Sequence, residues 1–203
     1  MSRRTAPRRP AVFLDRDGVL NRAVIRDGRP YPPADIEQFE LLPGVTSACR
    51  ALVQAGFVLV VVTNQPDIAR GALAPGTVEH LHRQLADVLP IAGAYVCPHD
   101  DDDGCSCRKP SPGLLLRAAG DLGIDLAQSV MVGDRWRDVE AGKRAGCRTV
   151  FIDAGYSERP PVGQDLSVSS LAEAADWIIS KSEDSTPKRR VRFPRRDESD
   201  TGR

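Results

Sequence analysis

Two carboxylates one residue apart, Asp15 and Asp17, follow directly on the apolar run Ala11-Val12-Phe13-Leu14, and Gly18 comes next. Four apolar residues ending in acids read as a buried strand whose C-terminal end delivers carboxylates into a crevice. Carboxylates this close repel unless a cation joins them, and oxygen donors suit a hard divalent ion such as Mg²⁺. One aspartate can then attack an electrophile while the other moves a proton. Taken alone, the pair could equally cap a strand end. Other polar groups sit at comparable places, however. Thr63-Asn64-Gln65 follows the run Phe57 to Val62, Gly133-Asp134 follows Val130-Met131-Val132, and Lys109 lies just before a helix-forming stretch. These types together can carry phosphoryl transfer. A carboxylate attacks phosphorus, a second serves the leaving oxygen, acids hold Mg²⁺, and Thr and Lys bind the non-bridging oxygens.

A second cluster comprises Cys97, His99, Cys105 and Cys107. One imidazole and three thiolates form the closed four-ligand set of a structural Zn²⁺ site, with no position left open for catalysis. A disulfide is the weaker reading, because Cys105 and Cys107 are too close for an easy mutual bridge. Metal would fold a loop that has little apolar surface to bury and that leads straight into Arg108 and Lys109. Inside this loop Asp100 to Asp103 read as a solvated acidic tip, and Gly104 and Gly113 as turn or close-approach positions. Cys49 and Cys147 lie in apolar surroundings and read as small core residues. His80 and His82 have polar neighbours and read as a solvated helix face, while Trp136 reads as a packing residue, with lining of the pocket as the alternative.

These groups need a scaffold, and the hydrophobic pattern supplies one. Strands are expected over 11–14, 57–62, 129–132 and 149–152, with a short one around Tyr95-Val96. Helices are expected over 43–56 (Val45, Ala48, Cys49, Leu52 and Val53 on one face) and 77–89 (Val78, Leu81, Leu85 and Val88). Others start near Pro112 with Ser111 as N-cap, run from Val139 to Ala145, and close the fold from Leu171 to Ile179. The alternation predicts an α/β fold with a doubly wound, Rossmann-like parallel sheet. No long insertion follows Gly18 or Gln65, so no large cap domain is expected.

Charge is uneven along the 203 residues. Four Arg fall in 1–10, while 183–203 hold seven basic and five acidic residues, so the body at 11–182 carries six more acids than bases. The expected organisation is a basic disordered tail (1–10), a single catalytic domain (11–182) and a charged disordered tail (183–203). An acidic body disfavours nucleic acid as a partner. The basic run Lys188 to Arg196 reads as a solubilising extension. No apolar stretch approaches the roughly 20 residues of a membrane span, and the N-terminus lacks the pattern of a secretory signal. A cytoplasmic monomer acting on a small molecule, without membrane contact, is the expectation.

The ordered set Asp15-Arg16-Asp17-Gly18-Val19, Thr63-Asn64-Gln65, Lys109-Pro110 and Gly133-Asp134-Arg135 with Asp138 resembles the haloacid dehalogenase superfamily of aspartate-nucleophile phosphatases, over about 11–155. The resemblance implies Asp15 as nucleophile and Asp17 as general acid/base, its backbone carbonyl also facing Mg²⁺. It implies Thr63 and Lys109 on the phosphoryl group and Asp134 completing the Mg²⁺ site. Asp138 is left between supporting Lys109, holding a metal-bound water, and facing solvent. The zinc loop, Ile68-Ala69-Arg70-Gly71 and Cys107-Arg108-Lys109-Pro110 are similar to the branch that holds the histidinol phosphatases and the phosphatases of heptose bisphosphates. That branch implies substrate contacts from Asn64, the segment Ala23 to Arg26, Arg108 and Arg135. The chain departs from the pattern at 26–31, at Pro66-Asp67 and in its short zinc loop. The resemblance implies heptose 1,7-bisphosphate, cleaved at the 7-position, as the substrate, with histidinol phosphate as the alternative. A zinc-stabilised binding protein without activity would lack one of Asp15, Asp17, Lys109 or Asp134, and all four are present.

Overall fold

The computed structural model describes residues 7–33 and 37–184. In chain order its elements are β1 (Ala11–Leu14), β2 (Val24–Arg26), β3 (Arg29–Tyr31), α1 (Val45–Gln54), β4 (Val58–Asn64), α2 (Pro75–Val88), β5 (Ile91–Cys97), α3 (Gly113–Leu122), β6 (Val130–Gly133), α4 (Trp136–Ala145), β7 (Arg148–Ile152), β8 (Leu166–Val168) and α5 (Leu171–Asp184). Six strands form one parallel sheet in the order β5-β4-β1-β6-β7-β8. β1 sits where the order reverses, with β4 on one side and β6 on the other. Open α/β sheets hold their ligands at such a switch point, at the carboxyl ends of the strands.

Side-chain alternation splits the core into two layers. Val12, Leu14, Leu59, Val61, Val130 and Val132 face α1 and α5. Phe13, Val60, Val62 and Met131 face α3 and Ala141 of α4. All of these are fully buried, and each such aliphatic side chain stabilises the fold by about 1.5–3 kcal/mol. Burial on both faces explains why the central strands read as unbroken apolar runs. Cys49 and Cys147 are core residues as expected, and burial pushes each thiol up to about 12.

Several local expectations are corrected. Val53 and Val88 are 40% and 52% exposed, because each lies just outside its helix's buried stripe. Ser111 does not cap α3; Pro112 holds that position without a side-chain bond, and the Ser111 N–H closes a turn on the Arg108 carbonyl. The hairpin β2–β3 and the edge strand β8, three residues each, have no periodic signal in the sequence. At the body's margins, Arg9 exchanges backbone hydrogen bonds with Gly123 and Asp125, and α5 continues to Asp184. The rest of both expected tails, 1–6 and 185–203, lies outside the described residues. No helix among the described residues is long and apolar enough to cross a membrane.

Candidate active site

β1 runs directly into Asp15, β4 ends at Thr63-Asn64 and β6 at Gly133, and parallel pairing brings these ends to one rim. Asp15 is buried, its backbone N–H donating to the Val132 carbonyl and its Oδ1 accepting from the Arg16 N–H (2.8 Å) and Lys109 Nζ (2.9 Å). Lys109 Nζ is shared with Asp138 Oδ1 (2.6 Å) and the Val62 carbonyl (2.8 Å). Asp138 is buried in the first turn of α4, so the solvent-facing option is removed and support of Lys109 is what the geometry displays. Its Oδ2 also accepts from the Arg135 N–H.

The Asp17 side chain is fixed on several sides. It accepts from the fully buried Arg16 guanidinium (2.9 Å), Asn21 Nδ2 (2.9 Å) and Gln65 Nε2 (2.8 Å). The same Gln65 Nε2 donates to Thr63 Oγ1 (2.9 Å), tying the two strand ends together. Asn64, expected against substrate, spends its amide on the Lys109 backbone, accepting from its N–H and donating to its carbonyl. His82 is not on a solvated face. Its ring meets the Arg16 guanidinium at 3.5 Å, and burial, reinforced by that charge, pushes it down to about 4. His80 is exposed.

Oxygens of Asp15, Asp134 and Asp138 lie within 4.8 Å of one another, all three residues buried. Both Asp134 oxygens lack a donor in hydrogen-bond geometry; the nearby Tyr156 hydroxyl only moderates the charge. Burial first, then the neighbouring carboxylates, pushes Asp134 well above its usual range. Burial also raises Asp15 to about 6 against the pull of Lys109. A divalent cation relieves such crowding, so the donor set fits Mg²⁺. Gly18 makes the approach possible: its φ is +89°, and a Cβ there would collide with the Asp134 carboxylate. The Asp17 carboxylate is outside this group.

The second expected cluster also assembles. Among Sγ of Cys97, Cys105 and Cys107 and Nδ1 of His99, five of the six pairs lie 3.1–3.6 Å apart, and all four atoms fall within 4.8 Å of one another. Donors gathered this closely could share one ion, and three thiolates with an imidazole are compatible with zinc. Gly104 turns with φ +60°, and Gly113 lets the chain pass against the Ser106 carbonyl. Asp100 and Asp101, expected as a solvated tip, are bound to arginines: Asp100 to Arg70, Asp101 to Arg108 and Arg137.

A small pocket touching Asp15, Asp17, Thr63 and Lys109 opens beside a cavity of about 480 Å³. Six arginines (29, 70, 108, 135, 137 and 159) line that cavity against three acids, Asp67, Asp101 and Glu158. The expected contact segment Ala23 to Arg26 is replaced by Arg29, Pro30, Tyr31 and Pro32, since the Asp27-Gly28 turn reverses the hairpin and returns β3 across the site. Arg135 is held by Glu158, and Trp136 lines the cavity with Arg159 stacked on its ring. Sequence reasoning missed Asn21, Gln65, Arg137, Tyr156 and Glu158; only the polar run Thr63-Asn64-Gln65 carried a usable signal.

An acidic pocket at the switch point of a parallel sheet, with a buried lysine in contact with its carboxylates, is the arrangement of a hydrolase of the haloacid-dehalogenase-like class. The sequence model of the HAD-hydrolase-like family matches residues 106–179. The D-glycero-beta-D-manno-heptose-1,7-bisphosphate 7-phosphatase of Yersinia pestis is 38% identical over 183 residues, covering 84% of this chain and 90% of that protein. That of Escherichia coli K12 is 39% identical over 184 residues, covering 84% and 88%. Among solved structures, the D,D-heptose 1,7-bisphosphate phosphatase of B. bronchiseptica, complexed with magnesium and phosphate, is similar with a TM-score of 0.70 at 32% identity, covering 85% of this chain and 99% of that one. Within its class the chain belongs to the family of these phosphatases, and it is a phosphoric monoester hydrolase.

Proposed function

We propose that the chain hydrolyses the 7-phosphate of D-glycero-D-manno-heptose 1,7-bisphosphate through an aspartyl-phosphate on Asp15. The observation that carries the substrate reading is the arginine excess on the wall beside the phosphoryl pocket. A second phosphate is attracted there, whereas the ammonium group of an amino-alcohol phosphate is repelled. The names of the two bacterial relatives support the same substrate.

Asp15 attacks phosphorus, forming a new P–O bond as the bond to the sugar oxygen breaks, and Asp17 gives that oxygen its proton. Water then attacks phosphorus, Asp17 takes the water's proton, and Asp15 departs as a carboxylate. Thr63 and Lys109 hold the non-bridging oxygens, Asn64 fixes the Lys109 backbone, and Arg108 and Arg135 face the second phosphate. Asp15, Asp134 and the Asp17 backbone carbonyl would hold Mg²⁺, which supplies charge neutralisation. Cys97, His99, Cys105 and Cys107 would hold Zn²⁺ as a structural ion. We read the working form as a cytoplasmic monomer, in a reducing setting that keeps these cysteines available as ligands.

The short zinc loop is also compatible with histidinol phosphate, the second reading. Phosphate release from both compounds, with and without Mg²⁺, separates them. The expected result is a kcat/KM at least about tenfold higher for the heptose bisphosphate, about 1.4 kcal/mol of transition-state preference, and no turnover without the ion. Equal or faster turnover of histidinol phosphate would remove the heptose assignment.

A further inference from the structure

Arg137 stands in the first turn of α4, three residues after Asp134, and lines both the phosphoryl pocket and the arginine cavity. Its Nη1 and Nη2 donate to Asp101 Oδ1 and Oδ2 at 2.5 and 3.3 Å. Its Nε–H is buried without an acceptor. A buried guanidinium N–H left unpaired is a standing cost that an oxygen of an anionic ligand removes. Asp101 Oδ1 also accepts from Arg108 Nε at 2.8 Å, and Arg108 Nη1 donates to the His99 carbonyl at 3.0 Å. One carboxylate of the zinc loop thus joins arginines from two segments. Two guanidiniums side by side repel, and the charge between them offsets that repulsion while fixing both forks before substrate arrives.

We propose that Arg137 is a substrate-binding residue for the non-reacting anionic group, and that Asp101 is the positioning residue holding Arg137 and Arg108 for it. The inference rests on the bisphosphate reading above and adds to it a residue pair that couples the zinc loop to α4. Arg137 lines the pocket as well as the wider cavity, but its guanidinium is tied to Asp101, which lines the cavity and not the pocket, so the larger part of its contribution falls on the remote group.

The test is steady-state kinetics of Arg137→Gln, Arg137→Lys and Asp101→Asn on heptose 1,7-bisphosphate and on p-nitrophenyl phosphate, which has a single phosphate, with zinc content measured for each. Arg137→Gln should raise KM for the bisphosphate about tenfold, with a clearly smaller change in kcat, and should raise KM for p-nitrophenyl phosphate by a distinctly smaller factor than for the bisphosphate. Arg137→Lys keeps the charge without the planar fork, and should fall between parent and Gln. Asp101→Asn should raise the bisphosphate KM about threefold, because the arginines remain but lose their fixed pose. Zinc should stay at the parental level throughout. A proportional fall of kcat for both substrates, or an unchanged bisphosphate KM in Arg137→Gln, overturns the inference. A parent enzyme without preference for the bisphosphate over the single phosphate overturns the substrate reading together with it.

Discussion

Asp15→Asn is expected to lower phosphate release by more than about a thousandfold while leaving the fold intact. The amide keeps the side chain's volume and one oxygen acceptor, so the bonds from the Arg16 N–H and Lys109 Nζ can persist. What disappears is the anionic nucleophile and one charge facing the cation. The fold has no reason to suffer, because Asp15 is crowded by Asp138 and Asp17 and already pushed up to about 6, chiefly by burial. Removing that charge relieves repulsion in the metal-free protein. Phosphate release under saturating substrate and Mg²⁺, beside a thermal melt, checks both halves. Turnover near the parental level would refute the assignment of Asp15.

The second large effect concerns the zinc loop. Cys107→Ser should abolish stoichiometric zinc and lower the melting temperature by about 10 °C, corresponding to a few kcal/mol in a domain of this size. Cys107 contacts all three other donors of the cluster, at 3.1–3.4 Å. The segment between β5 and α3 otherwise rests on polar contacts, with Asp101 to Asp103 exposed. Losing the ion frees the His99 carbonyl that orients Arg108, so KM should rise as the loop loosens. Metal analysis and melting curves of parent and variant decide the matter. A variant as stable as the parent, or a parent without zinc, would contradict this reading.

Legibility in the sequence followed burial. β1, β4 and β6 are buried on both faces, so they are unbroken apolar runs, and the polar residues that end them stand out. Asp15, Thr63 and Asp134 were legible for that reason, Lys109 by its place just before a helix-forming stretch, and the four zinc-type donors by their chemistry. Partnership across the fold was not. Asp100 and Asp101 form an acidic run whose neighbours say nothing of Arg70 and Arg137, which lie 30 and 36 positions away. His82 is surrounded by polar residues in sequence, yet its ring packs on Arg16, 66 positions earlier. Glu158 and Tyr156 come from a loop without periodicity. The hairpin was hidden because three-residue strands carry no usable alternation, and its turn alone could not tell which strand would cross the site.

The most direct measurement is the stereochemical course at phosphorus, followed with a phosphorothioate substrate chiral by sulfur and a heavy oxygen and hydrolysed in water of a third oxygen isotope, so that the thiophosphate released is chiral. Transfer to Asp15 and then to water inverts phosphorus twice, so the released thiophosphate should show net retention. Net inversion would mean that water attacks the substrate directly and that Asp15 never bonds to phosphorus.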